Sequence, residues 1–127
     1  MFNIFIIDDS KLIRDELTGI VKLYCSKNEI EVNIHTAESE KESEALMEKE
    51  KPDVVFLDIM LIESKSAGMT ILRILKEKFP CKIFVISALP GDKVKEACMV
   101  QGADGYIEKP FSAKEIDVVL GEMSLKT

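Results

Sequence analysis

Cysteine is scarce in this sequence, and the three present, Cys25, Cys81 and Cys98, fall into no CxxC pair and no cluster with histidine. That excludes a disulfide framework and a zinc site, and reads as reduced thiols in a cytoplasmic protein. The single histidine, His35, lies alone on a predicted strand and is assigned a structural role. Long apolar runs are missing as well. The amino-terminal stretch Met1–Ile7 has no basic flank and meets Asp8-Asp9 at once, which excludes a secretory signal, and nothing later approaches a membrane span. Basic residues are outnumbered: 17 Lys and Arg against 23 Asp and Glu give a net charge of −6, with no basic patch to neutralise phosphates. A nucleic-acid-binding surface is thereby excluded. Repeats, linkers and low-complexity segments are absent too, so residues 1–127 read as one domain.

What is present has the balance of a folded globule, with 46% hydrophobic and 31% charged residues. The stretch Val54-Val55-Phe56-Leu57-Asp58 sets the frame. Four apolar residues without interruption read as a strand buried on both faces, and Asp58 stands where the backbone leaves the sheet. Similar strands are predicted at 2–7, 31–36, 82–87 and 105–108. Helices are predicted between and after them. The first, over 11–25, carries Ile13, Leu17, Ile20 and Tyr24 at helical spacing. A polar second covers 40–50. The third, after a loop from Ile59 to Ala67, shows Met69, Leu72, Leu75 and Phe79 and stops at Pro80. The fourth covers 92–101 with Gly102 closing it, and the last carries Ile116, Val119, Leu120 and Met123. Five strand–helix alternations predict an α/β fold, a flavodoxin-like (βα)5 parallel sheet in the order 2-1-3-4-5 with helices on both faces.

That order brings the ends of strands 1 and 3 together, so Asp8, Asp9 and Asp58 converge. Two carboxylates about 4 Å apart repel by on the order of 1–4 kcal/mol. Three therefore call for a cation among them or a proton on one. All-oxygen ligation with room for water suits Mg²⁺. Ser87 ends strand 4 and Lys109 follows strand 5 on the same edge. Acids, a hydroxyl and an ammonium around one carboxylate suit phosphoryl transfer to Asp58, with Lys109 and the metal neutralising oxygens and Ser87 hydrogen-bonding one of them.

With these residues in view, the chain resembles a response-regulator receiver domain of two-component signalling. The resemblance is carried by Asp8-Asp9, by Asp58, by Ser87-Ala88 and by the run Gly102-Ala103-Asp104-Gly105-Tyr106-Ile107-Glu108-Lys109-Pro110-Phe111. It implies Mg²⁺ held by Asp9, Asp58 and the backbone carbonyl of Met60, with Asp8 acting through water. It also implies a cis bond at Lys109-Pro110, and a switch in which Ser87 follows the phosphoryl oxygens while Tyr106 turns inward. A sensor histidine kinase or phosphotransfer protein is implied as donor, and an unidentified protein target as reader of the surface formed by helix 4, strand 5 and helix 5. Beyond its own phosphorylation and dephosphorylation no catalysis is expected. In one place the chain departs from the family pattern: Ile62 replaces the usual Pro four residues after the acceptor, and the first Gly is Gly68, ten after it. The loop after strand 3 thus reads as two residues longer, with the path of 61–67 left open.

Other classes fit less well. A phosphohydrolase with an Asp nucleophile wants a second acid two residues on, where Met60 stands. A flavodoxin-type cofactor binder needs a phosphate loop after strand 1, where Asp8-Asp9 repel phosphate. A degenerate receiver that docks partners without phosphorylation is the runner-up, and none of the expected residues is missing. No effector segment follows residue 124, which reads as a stand-alone receiver.

Overall fold

Strand and helix alternate along the described chain, residues 1–59, 65–88 and 92–122 of a computed structural model. The elements are β1 (Phe2–Ile7), α1 (Lys11–Lys27), β2 (Val32–Ala37), α2 (Glu40–Glu50), β3 (Val54–Asp58), α3 (Lys65–Lys78), β4 (Lys82–Ser87), α4 (Asp92–Val100), β5 (Gly105–Glu108) and α5 (Ala113–Glu122). The strands form one parallel sheet ordered β2-β1-β3-β4-β5, the flavodoxin-like arrangement that the alternation predicts.

All five residues of β3 are buried, as are Ile4–Ile7 of β1, because a parallel strand covered on both faces has no solvated side. The two-residue period of each strand divides the core. Phe5, Ile7, Val55, Leu57, Ile83 and Val85 face one way and meet Met47 of α2, Leu72 and Leu75 of α3 and Cys98 of α4. Ile4, Ile6, Val54, Phe56, Phe84 and Ile86 face the other way, against Leu17, Val21 and Cys25 of α1 and Ile116 and Leu120 of α5. Burying one such side chain stabilises by roughly 1.5–3 kcal/mol, so both layers are needed to hold the sheet between its helices.

Several boundaries differ from the sequence expectation. On α1 the fully buried stripe is Leu17, Val21 and Cys25, four residues apart, whereas Ile13, Ile20 and Tyr24 flank it half-buried. The apolar arc is wider than the ridge that seats on the sheet. The helix runs on to Lys27, where Asn28 closes it by donating its backbone N–H and its Nδ2 to the Tyr24 carbonyl. β2 begins and ends one residue later than expected because Ala37 pairs with Ile7. Lys65–Ala67, expected in a loop, already belongs to α3, and Lys and Ala are strong helix formers. α4 ends one residue early, at Val100. Gly102 then takes a left-handed φ of +107°, a conformation that favours glycine, and lets Ala103 N–H reach the Cys98 carbonyl. Met123 lies outside the described residues.

Candidate functional site

β1 and β3 are neighbours, with Ile7 opposite Leu57, so Asp8 and Asp58 emerge side by side at the carboxyl edge of the sheet. One carboxylate oxygen from each of Asp8, Asp9 and Asp58 lies within 4.8 Å of the other two. Asp8 and Asp58 are buried and Asp9 is exposed. The first helix does not use these acids as its cap. Ser10 does that work, its Oγ accepting from Ile13 N–H at 3.3 Å.

Asp8 is fixed by bonds of its own. Its N–H donates to the Ala37 carbonyl at 3.1 Å, its Oδ1 accepts from Ser10 N–H at 2.9 Å, and its carbonyl accepts from Arg14 Nη1 at 2.8 Å. The remaining oxygen, Oδ2, faces Lys109. The Lys109 ammonium lies 2.9 Å from Asp8 Oδ2 and donates to Asp58 Oδ2 at 3.2 Å. Apart from this ion pair with Lys109, the buried Asp8 Oδ2 has no polar partner among the described residues. Burial alone would lower the pKa of Lys109. The Asp8 and Asp58 carboxylates outweigh it and hold the ammonium above its ordinary value.

One ammonium does not neutralise three carboxylates. Hard oxygen donors, surplus negative charge and a buried oxygen held by an ion pair alone are what a small divalent cation takes up, and the residues present fit Mg²⁺. Asp8, Asp9 and Asp58 are the side chains that would hold it. Met60, whose carbonyl the resemblance adds to the ligand set, lies outside the described residues, as do residues 61–64 of the loop.

Lys109 and Ser87 are joined through the backbone, Lys109 N–H donating to the Ser87 carbonyl at 2.8 Å. The Lys109-Pro110 bond is cis, as the resemblance implies. Ser87, the last residue of β4, is fully buried, and its side chain shares a hydrogen bond with that of Tyr106 on β5. Tyr106 is half-buried and packs against the core on the α2–α4 side. Burial raises the Tyr106 phenol pKa, and the bond to Ser87 pulls it part of the way back. His35 stays out of the cluster, its ring tilted against that of Phe5 with centroids 4.6 Å apart.

The structure thus gathers Asp8, Asp9, Asp58 and Lys109, with Ser87 ending β4 on the same edge and Tyr106 further back on β5, opposite Val85. It adds one residue that sequence reasoning passes over. Arg14, in the first turns of α1, is hidden in a sequence of interleaved charges, and its only signal is a cation six residues after Asp8. Among the described residues no helix is long and apolar enough to cross a membrane.

A family model described as the response regulator receiver domain matches residues 4–120. Among curated proteins, the uncharacterized transcriptional regulatory protein YcbL of Bacillus subtilis (strain 168) is 36% identical over 107 residues, covering 83% of this chain and 46% of that protein. The chain therefore spans about half the length of this relative. Among solved structures, a response regulator from Thermotoga maritima aligns with a TM-score of 0.80 at 25% identity over 97% of each chain. The receiver domain of NtrX from Brucella abortus aligns with a TM-score of 0.76 at 30% identity over 98% of each.

Proposed function

The chain belongs to the response-regulator receiver family, and from that premise we propose that it accepts a phosphoryl group on Asp58 and converts it into a change of partner affinity. The observation that carries the reading is the Lys109 ammonium set between Asp8 and Asp58, at 2.9 and 3.2 Å, with Asp9 completing the acidic cluster.

The Asp58 carboxylate attacks phosphorus, forming an acyl phosphate as the bond to the donor's leaving group breaks. A histidine kinase, a phosphotransfer protein or a small acyl phosphate supplies the group. Lys109 balances charge on the incoming oxygens, and Mg²⁺, when bound by the acids, supplies the rest of that neutralisation. Ser87 has one O–H to donate and two lone pairs to accept with. Its single O–H, turned to Tyr106 in the unmodified protein, turns to a phosphoryl oxygen after modification, so a change at Asp58 is passed to Tyr106 and the β5 surface. Tyr106 lines a groove with Ile107, Ser112 and Val118, and Met99 and Val100 of α4 are exposed on the neighbouring helix. This is the surface proposed to change. Complete switching needs about 5.5 kcal/mol of differential stabilisation, so the bound target supplies part of it. Residues 1–127 act as one receiver unit in the cytoplasm, with no turnover beyond the domain's own modification.

The test is mass spectrometry after incubation with acetyl phosphate and Mg²⁺. Wild type gains one phosphoryl adduct, and Asp58→Ala gains none. An unlabelled wild type with its fold intact overturns the reading, as does an Asp58→Ala protein labelled to the same extent.

A further inference from the structure

We propose that Arg14 is a positioning residue for the Mg²⁺ site: through its hydrogen bond to the Asp8 carbonyl it holds the peptide that joins Asp8 to Asp9. The inference rests on the reading of the acidic cluster as a metal site. Arg14 does not touch the carboxylates' ligand oxygens in this arrangement; it donates from Nη1 to the backbone oxygen of Asp8 at 2.8 Å. That oxygen belongs to the one peptide plane shared by the two acids. Its orientation sets the directions in which both Cα–Cβ bonds leave the chain.

The other bonds to this segment leave the plane free to turn. Asp8 N–H on Ala37 fixes the residue before the plane, and Ser10 N–H on Asp8 Oδ1 fixes one side chain. Arg14 alone, among the described residues, grips the plane by a side chain, and it does so from the body of α1, whose Leu17 and Val21 are seated in the core. Its side chain is 13% exposed, so its charge is largely withdrawn from water. The second partner, Glu38 at 3.8 Å, is 68% exposed and binds it weakly. The bond to the Asp8 carbonyl is therefore the one that determines where the guanidinium sits. Outer residues that orient metal ligands in this way typically contribute about 10- to 100-fold in metal affinity.

Isothermal calorimetry with Mg²⁺ alone tests this on wild type, Arg14→Ala, Arg14→Lys and Glu38→Gln. Arg14→Ala is expected to weaken Mg²⁺ binding about tenfold. Arg14→Lys, which retains a donor on a long stem, recovers part of the loss, and Glu38→Gln stays within about twofold of wild type. In acetyl phosphate labelling, the half-saturating Mg²⁺ concentration of Arg14→Ala rises in proportion, while the rate at saturating Mg²⁺ stays near that of wild type. A loss of fold would instead abolish labelling even at saturating Mg²⁺. Should Arg14→Ala fail to fold, Arg14→Met keeps the packed stem without a donor and takes its place. An Mg²⁺ affinity within about twofold of wild type in the donor-less variant overturns the assignment, and so does an Arg14→Lys no better than Arg14→Ala. A wild type that takes up no Mg²⁺ overturns the metal-site reading itself, and this inference with it.

Discussion

The side chains of Ser87 and Tyr106 share a hydrogen bond that joins a fully buried hydroxyl at the end of β4 to a half-exposed ring on β5. It is a direct side-chain link between the acidic edge of the sheet and the groove beside α5. A movement of Ser87 therefore changes the hydrogen bonding of Tyr106.

Two measurements follow from that bond. Because Ser87 lowers the Tyr106 pKa while burial raises it, Ser87→Ala is expected to move the phenol titration further up. Ultraviolet titration of tyrosinate in a Tyr24→Phe background isolates the signal, since Tyr24 is the only other tyrosine. A double-mutant cycle over Ser87→Ala and Tyr106→Phe should read a coupling of about 1 kcal/mol in urea denaturation. Strict additivity, with an unmoved titration, would remove the bond from the account.

Lys109 relieves the acidic cluster, so its loss is expected to destabilise the metal-free protein. Lys109→Ala leaves Asp8 and Asp58 buried with their counter-ion gone, a change that costs about 3 kcal/mol. Added Mg²⁺ should restore more stability to this variant than to wild type, because the ammonium no longer competes for the same oxygens. Urea midpoints with a chelator and with excess Mg²⁺ give the comparison. Equal Mg²⁺ increments in the two proteins would show that Lys109 and the metal do not share the carboxylates.

Residue type and strand position make the cluster legible in the sequence itself. Val54–Leu57 is apolar without interruption and ends in a carboxylate, so Asp58 had to lie at a sheet edge, and the parallel topology put Asp8-Asp9 beside it. What the sequence hid was decided by packing across distance. Arg14 carries no local sign that its guanidinium reaches back to the Asp8 carbonyl, because that contact depends on how α1 docks. The full burial of Val21 and Cys25 in place of Ile20 and Tyr24 was equally hidden, since helical periodicity defines an arc and only the sheet selects the ridge within it. Asp104 is a third case. Its carboxylate accepts from Ile83 N–H at 2.8 Å and from Lys76 Nζ at 2.9 Å, fastening the start of β5 to β4 and α3 at the edge opposite the acids. The family motif contains this residue, and its structural duty shows only in three dimensions.

Cys81 predicts an alkaline limit to stability. Burial, partly offset by Lys76, pushes its thiol from 9.0 up to about 11. The folded state thus keeps the proton longer than the unfolded chain does. The contribution of the neutral thiol is fully present below about pH 9 and is lost as pH rises toward 11, roughly 2–3 kcal/mol over that range. Urea denaturation from pH 8 to 11 should show wild type weakening more steeply than Cys81→Ala. Parallel curves for the two proteins would mean that the thiol does not titrate in this window.

Gly105 is required by the space beside it. It faces Phe84 across the β4–β5 ladder, and a Cβ at this position would lie 2.6 Å from Phe84 Cδ1 and 2.9 Å from Cε1. The Phe84 ring has little freedom to retreat, being 7% exposed and tilted against Phe56 with centroids 5.8 Å apart. The conflict is steric, because the left-handed glycine of this segment is Gly102 and not Gly105. Gly105→Ala is therefore expected to destabilise by about 1–3 kcal/mol. Combining it with Phe84→Leu, which removes the clashing ring edge, should make the pair less costly than the sum of the two single changes. Since β5 leads directly into Lys109, the displaced strand of Gly105→Ala should also slow labelling of Asp58 by acetyl phosphate. A Gly105→Ala protein within about 0.5 kcal/mol of wild type would show that the ring gives way freely and that this contact does not hold β5 in place.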